Sequence, residues 1–251
     1  MLSSFGKSFS FGRRNVAAIL QHIASGLELY YDPSNLSSYP GSGSTLFDLS
    51  PSGVNATITG SLALNNNAFT FTGGSAQNLI TGSLATLYSG WQHTLEIWIR
   101  PTAVCQIFSD TGIASISGGY HTTGAEFYNV GPFTISNAML WDGTATTRVG
   151  GGTTPLNNWY QFVRVYNGSN TAYAYVNKVK SSDTTITWDP PYTGGLGRTG
   201  WHLIFGASDI TKFSTSTAFQ GSLGVVRLYN RVLSQAEITQ NYDSTKSKYG
   251  L

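Results

Sequence analysis

Charge is what this chain has least of. Only 10% of its 251 residues are Asp, Glu, Lys or Arg, about half the usual share, so Ser, Thr, Asn and Gln must keep its surface wet. The 14 basic residues are scattered among 12 acidic ones for a net charge of +2. Such scatter gives no cationic stripe able to release counterions from a polyphosphate, so no nucleic-acid partner is expected. The single cysteine, Cys105, excludes an intrachain disulfide, and its setting in AVCQIF reads as a buried structural thiol. Near the start the only apolar core is Val16 to Leu20, too short for a membrane span and poorly arranged for a secretory signal.

Catalytic words are missing as well. A retaining glycosidase needs two carboxyl groups about 5 Å apart, which on one strand means acids at alternate positions. None of the twelve acids lies two residues from another, and Glu96 in LEIWIRP stands alone as a structural strand glutamate. His22, His93, His121 and His202 are isolated, without HxH or HExxH spacing. No GxSxG elbow exists, and the glycine-rich runs at 150–152 and 193–200 lack the strand-to-helix context of a phosphate loop. The chain is therefore expected to be no enzyme.

Glycine (29 residues) and aromatics (13%) are plentiful, and apolar residues recur with period two. Strands are predicted at Leu27–Tyr31, Ala68–Thr72, Thr94–Arg100, Val104–Phe108, Thr134–Trp141, Trp159–Tyr166, Thr171–Val176, Thr185–Trp188, His202–Phe205 and Leu223–Asn230. With almost no helix to cross between parallel strands, the sheets should be antiparallel and packed as a sandwich. Asn167-Gly168 marks a hairpin, and Asn177-Lys178 a second tight reversal. In the last strand Leu223, Val225, Arg227 and Tyr229 alternate with Gly224, Val226, Leu228 and Asn230. The chain then enters Ser234-Gln235-Ala236-Glu237, a capping box for one short C-terminal helix.

Four words carry a family likeness: GLELYYDPSNLSSYPGSGSTLFDLS from Gly26, HTLEIWIRP from His93, NNWYQFVRVYNGSNTAYAYVNKV from Asn157 and LYNRVLSQAEI from Leu228. In this order they resemble the laminin-G-like, concanavalin A-like lectin/glucanase jelly rolls, particularly the single-domain versions in phage and other viral structural proteins. The resemblance implies an all-β, antiparallel two-sheet jelly roll, with Lys178 standing where the family usually has Gly. It also implies a virion location, with capsid or tail subunits as partners in a multi-copy or homo-oligomeric assembly. Many such jelly rolls hold calcium. Asp32, Asp48 and Asp209 are the weak candidates here, but FTFTGGSAQNLI has no carboxylate where the family has an Asp-rich word, so no cofactor is expected. Asp32 and Asp48 read rather as turn caps.

The domain is read as residues 26–251, preceded by an arm or helix over 1–25. Val16, Ile19, Leu20 and Ile23 share one helical face that Asn15 would cap and Gly26 would end. Two readings of this segment stand: a helix or arm packed on its own domain, or a docking arm with Phe5, Phe9, Phe11, Arg13 and Arg14 as anchors. Exposed aromatics in loops stack on sugar rings, and the glycan-stacking candidates are Trp141, Trp188, Tyr192 and Trp201, with the stretch from Trp188 to His202 the most decorated. The function expected is a non-enzymatic virion structural or decoration protein, with glycan attachment as a second role of the same surface. The alternatives are a carbohydrate-binding module and, less favoured, a glycoside hydrolase.

Overall fold

The computed structural model describes residues 21–74, 76–84, 92–103, 106–112, 122–126, 134–141, 146–168, 171–180, 184–185, 201–206 and 218–251. Residues 106–112, 122–126, 134–141, 146–153, 184–185 and 201 are described by their backbone only. Two sheets form, and every strand pair in them is antiparallel. The first sheet runs β14 (Val179–Lys180), β13 (Thr171–Val176), β12 (Tyr160–Tyr166), β7 (His93–Pro101), β17 (Gln220–Tyr229), β5 (Ala68–Thr72) and β4 (Ala63–Asn65). Here β1 (Leu27–Tyr31) also pairs with β17, and β15 (Thr184–Thr185) with β13. The second sheet runs β11 (Thr146–Thr153), β10 (Thr134–Trp141), β9 (Thr122–Glu126), β8 (Gln106–Gly112), β16 (Trp201–Phe205), β6 (Asn78–Thr81), β3 (Ala56–Thr59) and β2 (Thr45–Leu46). The all-β sandwich with one short C-terminal helix, α1 (Gln235–Thr245), is thus the fold of this chain.

Alternation sorts each central strand between two apolar layers. Leu95, Ile97 and Ile99 of β7 join Phe162, Leu228, Leu203 and Phe205 in the core between the sheets. Removing each such side chain from water stabilises the fold by roughly 1.5–3 kcal/mol. Glu96 and Trp98 face the other way, yet both are 1% exposed or less, because α1 and the 3-10 turn Lys246–Tyr249 cover that face. Glu96, read from the sequence as a structural strand glutamate, is buried there. The helix turns this outer face into a second, partly polar core.

β17 departs from the expected period. Leu223 opposes Ile99 and Val226 opposes Ile97, so three steps on β17 match two on β7. This bulge moves Leu223 into the inner layer with Val226 and Leu228, while Val225 joins Trp98 and Tyr249 outside. Tyr249 fits the defect: its hydroxyl accepts the Val225 N–H at 2.8 Å. Gly224 makes room for that ring, since a Cβ there would lie 2.0 Å from the Tyr249 hydroxyl.

The turns follow their chemistry. Asn177 and Lys178 both take left-handed backbone, with φ of 48° and 71°, joining β13 to β14 as a type I′ hairpin turn demands. Asn66 and Asn67 do the same between β4 and β5, with φ of 48° and 70°. At α1 the capping box forms in full between Ser234 and Glu237. The predicted helix ending at Gly26 does not reach its described residues: 21–24 are not helical. The backbone of Ile23 instead donates to Asn241 Oδ1 (2.8 Å) and accepts from the Tyr229 hydroxyl (3.1 Å), leaving it no helical partners.

Candidate functional site

Register brings the functional candidates of the second sheet to one end. Leu140, Thr123, Asp110 and Leu203 form one row across β10, β9, β8 and β16. One step further along stand Trp141, Thr122, Thr111 and His202, and Trp201 pairs with Gly112 beyond them. Trp141 therefore closes β10 and Trp201 opens β16 on the same edge of the sandwich.

The first sheet contributes its His93 end. Four residues, 102–105, join Pro101 of β7 to Gln106 of β8, a reach of at most about 18 Å, whereas β7 itself runs about 30 Å. Pro101 and Gln106 thus share one end of the sandwich, and His93 shares the other with Gly112. Tyr166 pairs with His93 there, and β15 lies beside Thr171 and Ala172 of β13. The chain segment 186–200 that carries Trp188 and Tyr192 leaves Thr185 and returns at Trp201, so both its attachment points belong to this end. Trp188 and Tyr192 themselves, Asp209, and Phe5, Phe9, Phe11, Arg13 and Arg14 lie outside the described residues.

A buried cation underlies this end. Arg164 sits in the inward phase of YQFVRVY, in line with Tyr160, Phe162 and Tyr166, and is 1% exposed. Its Nη2 lies 3.3 Å from Nε2 of His93, whose ring is 5.8 Å from that of Tyr166. Guanidinium nitrogens only donate, so Nε2 of His93 is the accepting, unprotonated nitrogen. Sequence reading passed over this pair. The signal was present, as an arginine at the apolar phase of a buried strand.

Two weak metal candidates are already saturated. Asp48 accepts the N–H groups of Tyr30 (2.8 Å), Ser50 (2.9 Å) and Val54 (2.9 Å) and the hydroxyl of Ser50 (2.7 Å). Asp32 accepts the hydroxyl and N–H of Ser34 and pairs with the Lys248 ammonium. These are turn caps, and an ammonium on Asp32 repels a divalent cation, so the two do not fit calcium. Among the described residues no group of three His, Cys, Asp or Glu is placed to hold a metal ion.

Glu96 is equally committed. Its Oε1 accepts from Arg227 Nη1 (2.9 Å), Trp98 Nε1 (3.1 Å) and Gln161 Nε2 (3.1 Å), and its Oε2 from Asn241 Nδ2 (2.8 Å). Arg227 continues to Thr245, and Asn241 to the Tyr229 hydroxyl and Ile23. The network binds β7, β12, β17, α1 and the N-terminal segment through one carboxylate, sealed from solvent. Beside it Tyr242, Trp98, Tyr249 and Trp159 stack in series at centroid spacings of 5.4, 4.9 and 4.1 Å. Both features hold α1 on the sheet. Among the described residues no helix is long and apolar enough to cross a membrane.

Solved structures share this architecture. Domain 4 of AbnA, a GH43 extracellular arabinanase from Geobacillus stearothermophilus in complex with arabinotriose, aligns over 88% of this chain and 100% of its own, with 18% identity and a TM-score of 0.63. Trypanosoma rangeli sialidase in complex with sialic acid aligns over 90% of this chain but only 34% of its own, at 16% identity and a TM-score of 0.63. The receptor-binding domain of a botulinum neurotoxin C/D mosaic serotype aligns over 88% of this chain and 52% of its own, at 15% identity and a TM-score of 0.59. At such identities the likeness is one of fold. No curated protein matches the chain by sequence. Residues 72–239, more than half of the chain, match the laminin-G-type model of the concanavalin A-like lectin/glucanases superfamily, and to that superfamily the chain belongs.

Proposed function

We propose that this chain is a carbohydrate-binding domain without catalytic activity, taking sugar rings at the end of the sandwich marked by His93, Trp141 and Trp201. The observation that carries the reading is the register that sets Trp141 and Trp201 on one edge, where the segment bearing Trp188 and Tyr192 is also attached. Indole and phenol rings suit the apolar faces of pyranose and furanose rings. The arabinanase domain, which matches over its whole length, is held with arabinotriose, and the sialidase with sialic acid, which supports a sugar as the ligand class. The non-catalytic part rests on Glu96, whose two oxygens are occupied by four donors under α1 and touch no open surface.

The test is an oligosaccharide panel followed by calorimetry on Trp201→Ala and Trp141→Ala, with Leu36→Ala as a control at an exposed loop position. Loss of one stacked ring should weaken binding about tenfold, with the control unchanged. Absence of binding across the panel, or Trp variants equal to the parent, overturns the proposal. Release of reducing ends from any oligosaccharide overturns its non-catalytic part.

A virion structural or decoration role in a multi-copy assembly is a second proposal, with residues 1–25 fastening the body to capsid or tail subunits. The observation that favours it is the path of residues 21–25, tied to α1 and the end of β17 on the outer face of the first sheet. Deleting Met1 to Arg14 should abolish incorporation or self-association while the sandwich still folds. Unchanged assembly after the deletion refutes it.

A further inference from the structure

The N-terminal segment held on the body carries a histidine with no counter-ion to spare. Residues 21–25 run between α1 and β17. Gln240 donates to the Gln21 carbonyl (2.8 Å), Ile23 N–H donates to Asn241 (2.8 Å), Tyr229 donates to the Ile23 carbonyl (3.1 Å) and Arg231 donates to the Ser25 carbonyl (2.9 Å). His22, within this clasp, packs its ring 4.6 Å from that of Tyr30, which in turn lies 5.0 Å from the Arg227 guanidinium.

The charged groups facing His22 are Arg227 and Glu96 from the sheet, Asp32 after β1 and Lys248 from the 3-10 turn. From α1 the uncharged Gln240 and Asn241 bond the segment, and Arg231, paired with Glu237 of α1, holds the Ser25 carbonyl. Both carboxylates are already spent: Glu96 on Arg227, Gln161, Trp98 and Asn241, and Asp32 on Lys248 and Ser34. An imidazolium at this position would enter a half-buried site beside two cations whose partner anions are taken.

We propose that His22 is an acid-operated latch, which clasps the N-terminal segment onto α1 and β17 when neutral and frees it when protonated, leaving the sandwich intact. Burial, then Arg227, pull its pKa from 6.5 down to about 4. A depressed histidine pKa means that the detached segment binds the proton more readily. The clasp is therefore complete above pH 6.5 and is lost as pH falls toward 4. Between pH 7 and pH 5 the closing equilibrium should weaken on the order of ten- to thirtyfold. The consequence is exposure of residues 21–25, together with Tyr30 and the α1 flank, on passing into a mildly acidic compartment.

Hydrogen exchange on the full chain, corrected for the intrinsic pH dependence of the chemistry, tests this at the Ile23 amide. Protection there should fall at least tenfold from pH 7 to pH 5, while β17 amides stay protected. His22→Phe should keep the Ile23 amide protected at both pH values, and His22→Lys should free it at pH 7. Equal protection of Ile23 at pH 7 and pH 5 in the parent chain, or identical acid release in His22→Phe, overturns the proposal. Neither outcome depends on whether the domain binds sugar.

Discussion

Replacing Glu96 with Gln removes one charge from the most heavily shared side chain of the protein. The new amide is isosteric, so its oxygen can take the place of Oε1 and still accept from Arg227, Trp98 and Gln161. Its NH2 then takes the place of Oε2 and points at Asn241 Nδ2, donor against donor at 2.8 Å. Asn241 relieves the clash only by flipping, which turns its oxygen away from the Ile23 N–H. Arg227, 2% exposed, meanwhile loses its ion-pair partner. Breaking a buried pair from one side costs about 3–5 kcal/mol, and the retained hydrogen bonds place Glu96→Gln near the lower end, about 3 kcal/mol. In a chain of this size that lowers Tm by roughly 6–12 °C. Urea unfolding followed by tryptophan fluorescence should show the midpoint falling with the slope unchanged. A cycle with Arg227→Met should give a coupling above about 1 kcal/mol. Loss of less than about 0.5 kcal/mol, or no coupling, would refute the claim that this carboxylate ties helix to sheet.

Other expectations follow from the same geometry. Gly224→Ala drives a methyl into the Tyr249 hydroxyl and should cost about 2 kcal/mol, read as a lower urea midpoint and faster proteolysis at the C-terminal end. Ser234→Ala removes the N-cap of α1 and should cost about 1 kcal/mol by the same unfolding assay. Glu237 is held at about pKa 2, chiefly by Arg231 and also by the Ser234 cap. A lowered carboxylate pKa gives stability that is present above pH 4.5 and lost as pH falls toward 2. Glu237→Gln should therefore flatten the unfolding midpoint across that window, and an unchanged acid slope would show that the pair contributes nothing.

Much of the sandwich was legible along the chain because strands buried on one or both faces write period two or unbroken apolar runs. Ala68–Thr72, Thr134–Trp141 and Thr171–Val176 stand at the predicted bounds. The short strands Thr45–Leu46, Ala63–Asn65 and Val179–Lys180, and the polar or glycine-rich Thr122–Glu126 and Thr146–Thr153, escaped notice. Two or three residues, or a TTGAE and a TTRVGGGT, carry too little apolar periodicity to announce a strand. The bulge at Gly224 was hidden for another reason: one extra residue leaves the local pattern intact and changes only which face it presents.

Composition and order alone determined an antiparallel β sandwich closed by a capped helix, since apolar periodicity, the asparagine turns and the Ser234–Glu237 box are local signals read within a few residues. Tertiary structure decided the rest. Glu96, Arg227, Asn241 and Ile23 are far apart in sequence and meet only because β7 and β17 are neighbours beneath α1. Trp141 and Trp201 likewise share an edge only through the pairing of four strands. A site assembled from distant segments has no period and no spacing. Its existence depends on register, which is set by packing across the whole sheet.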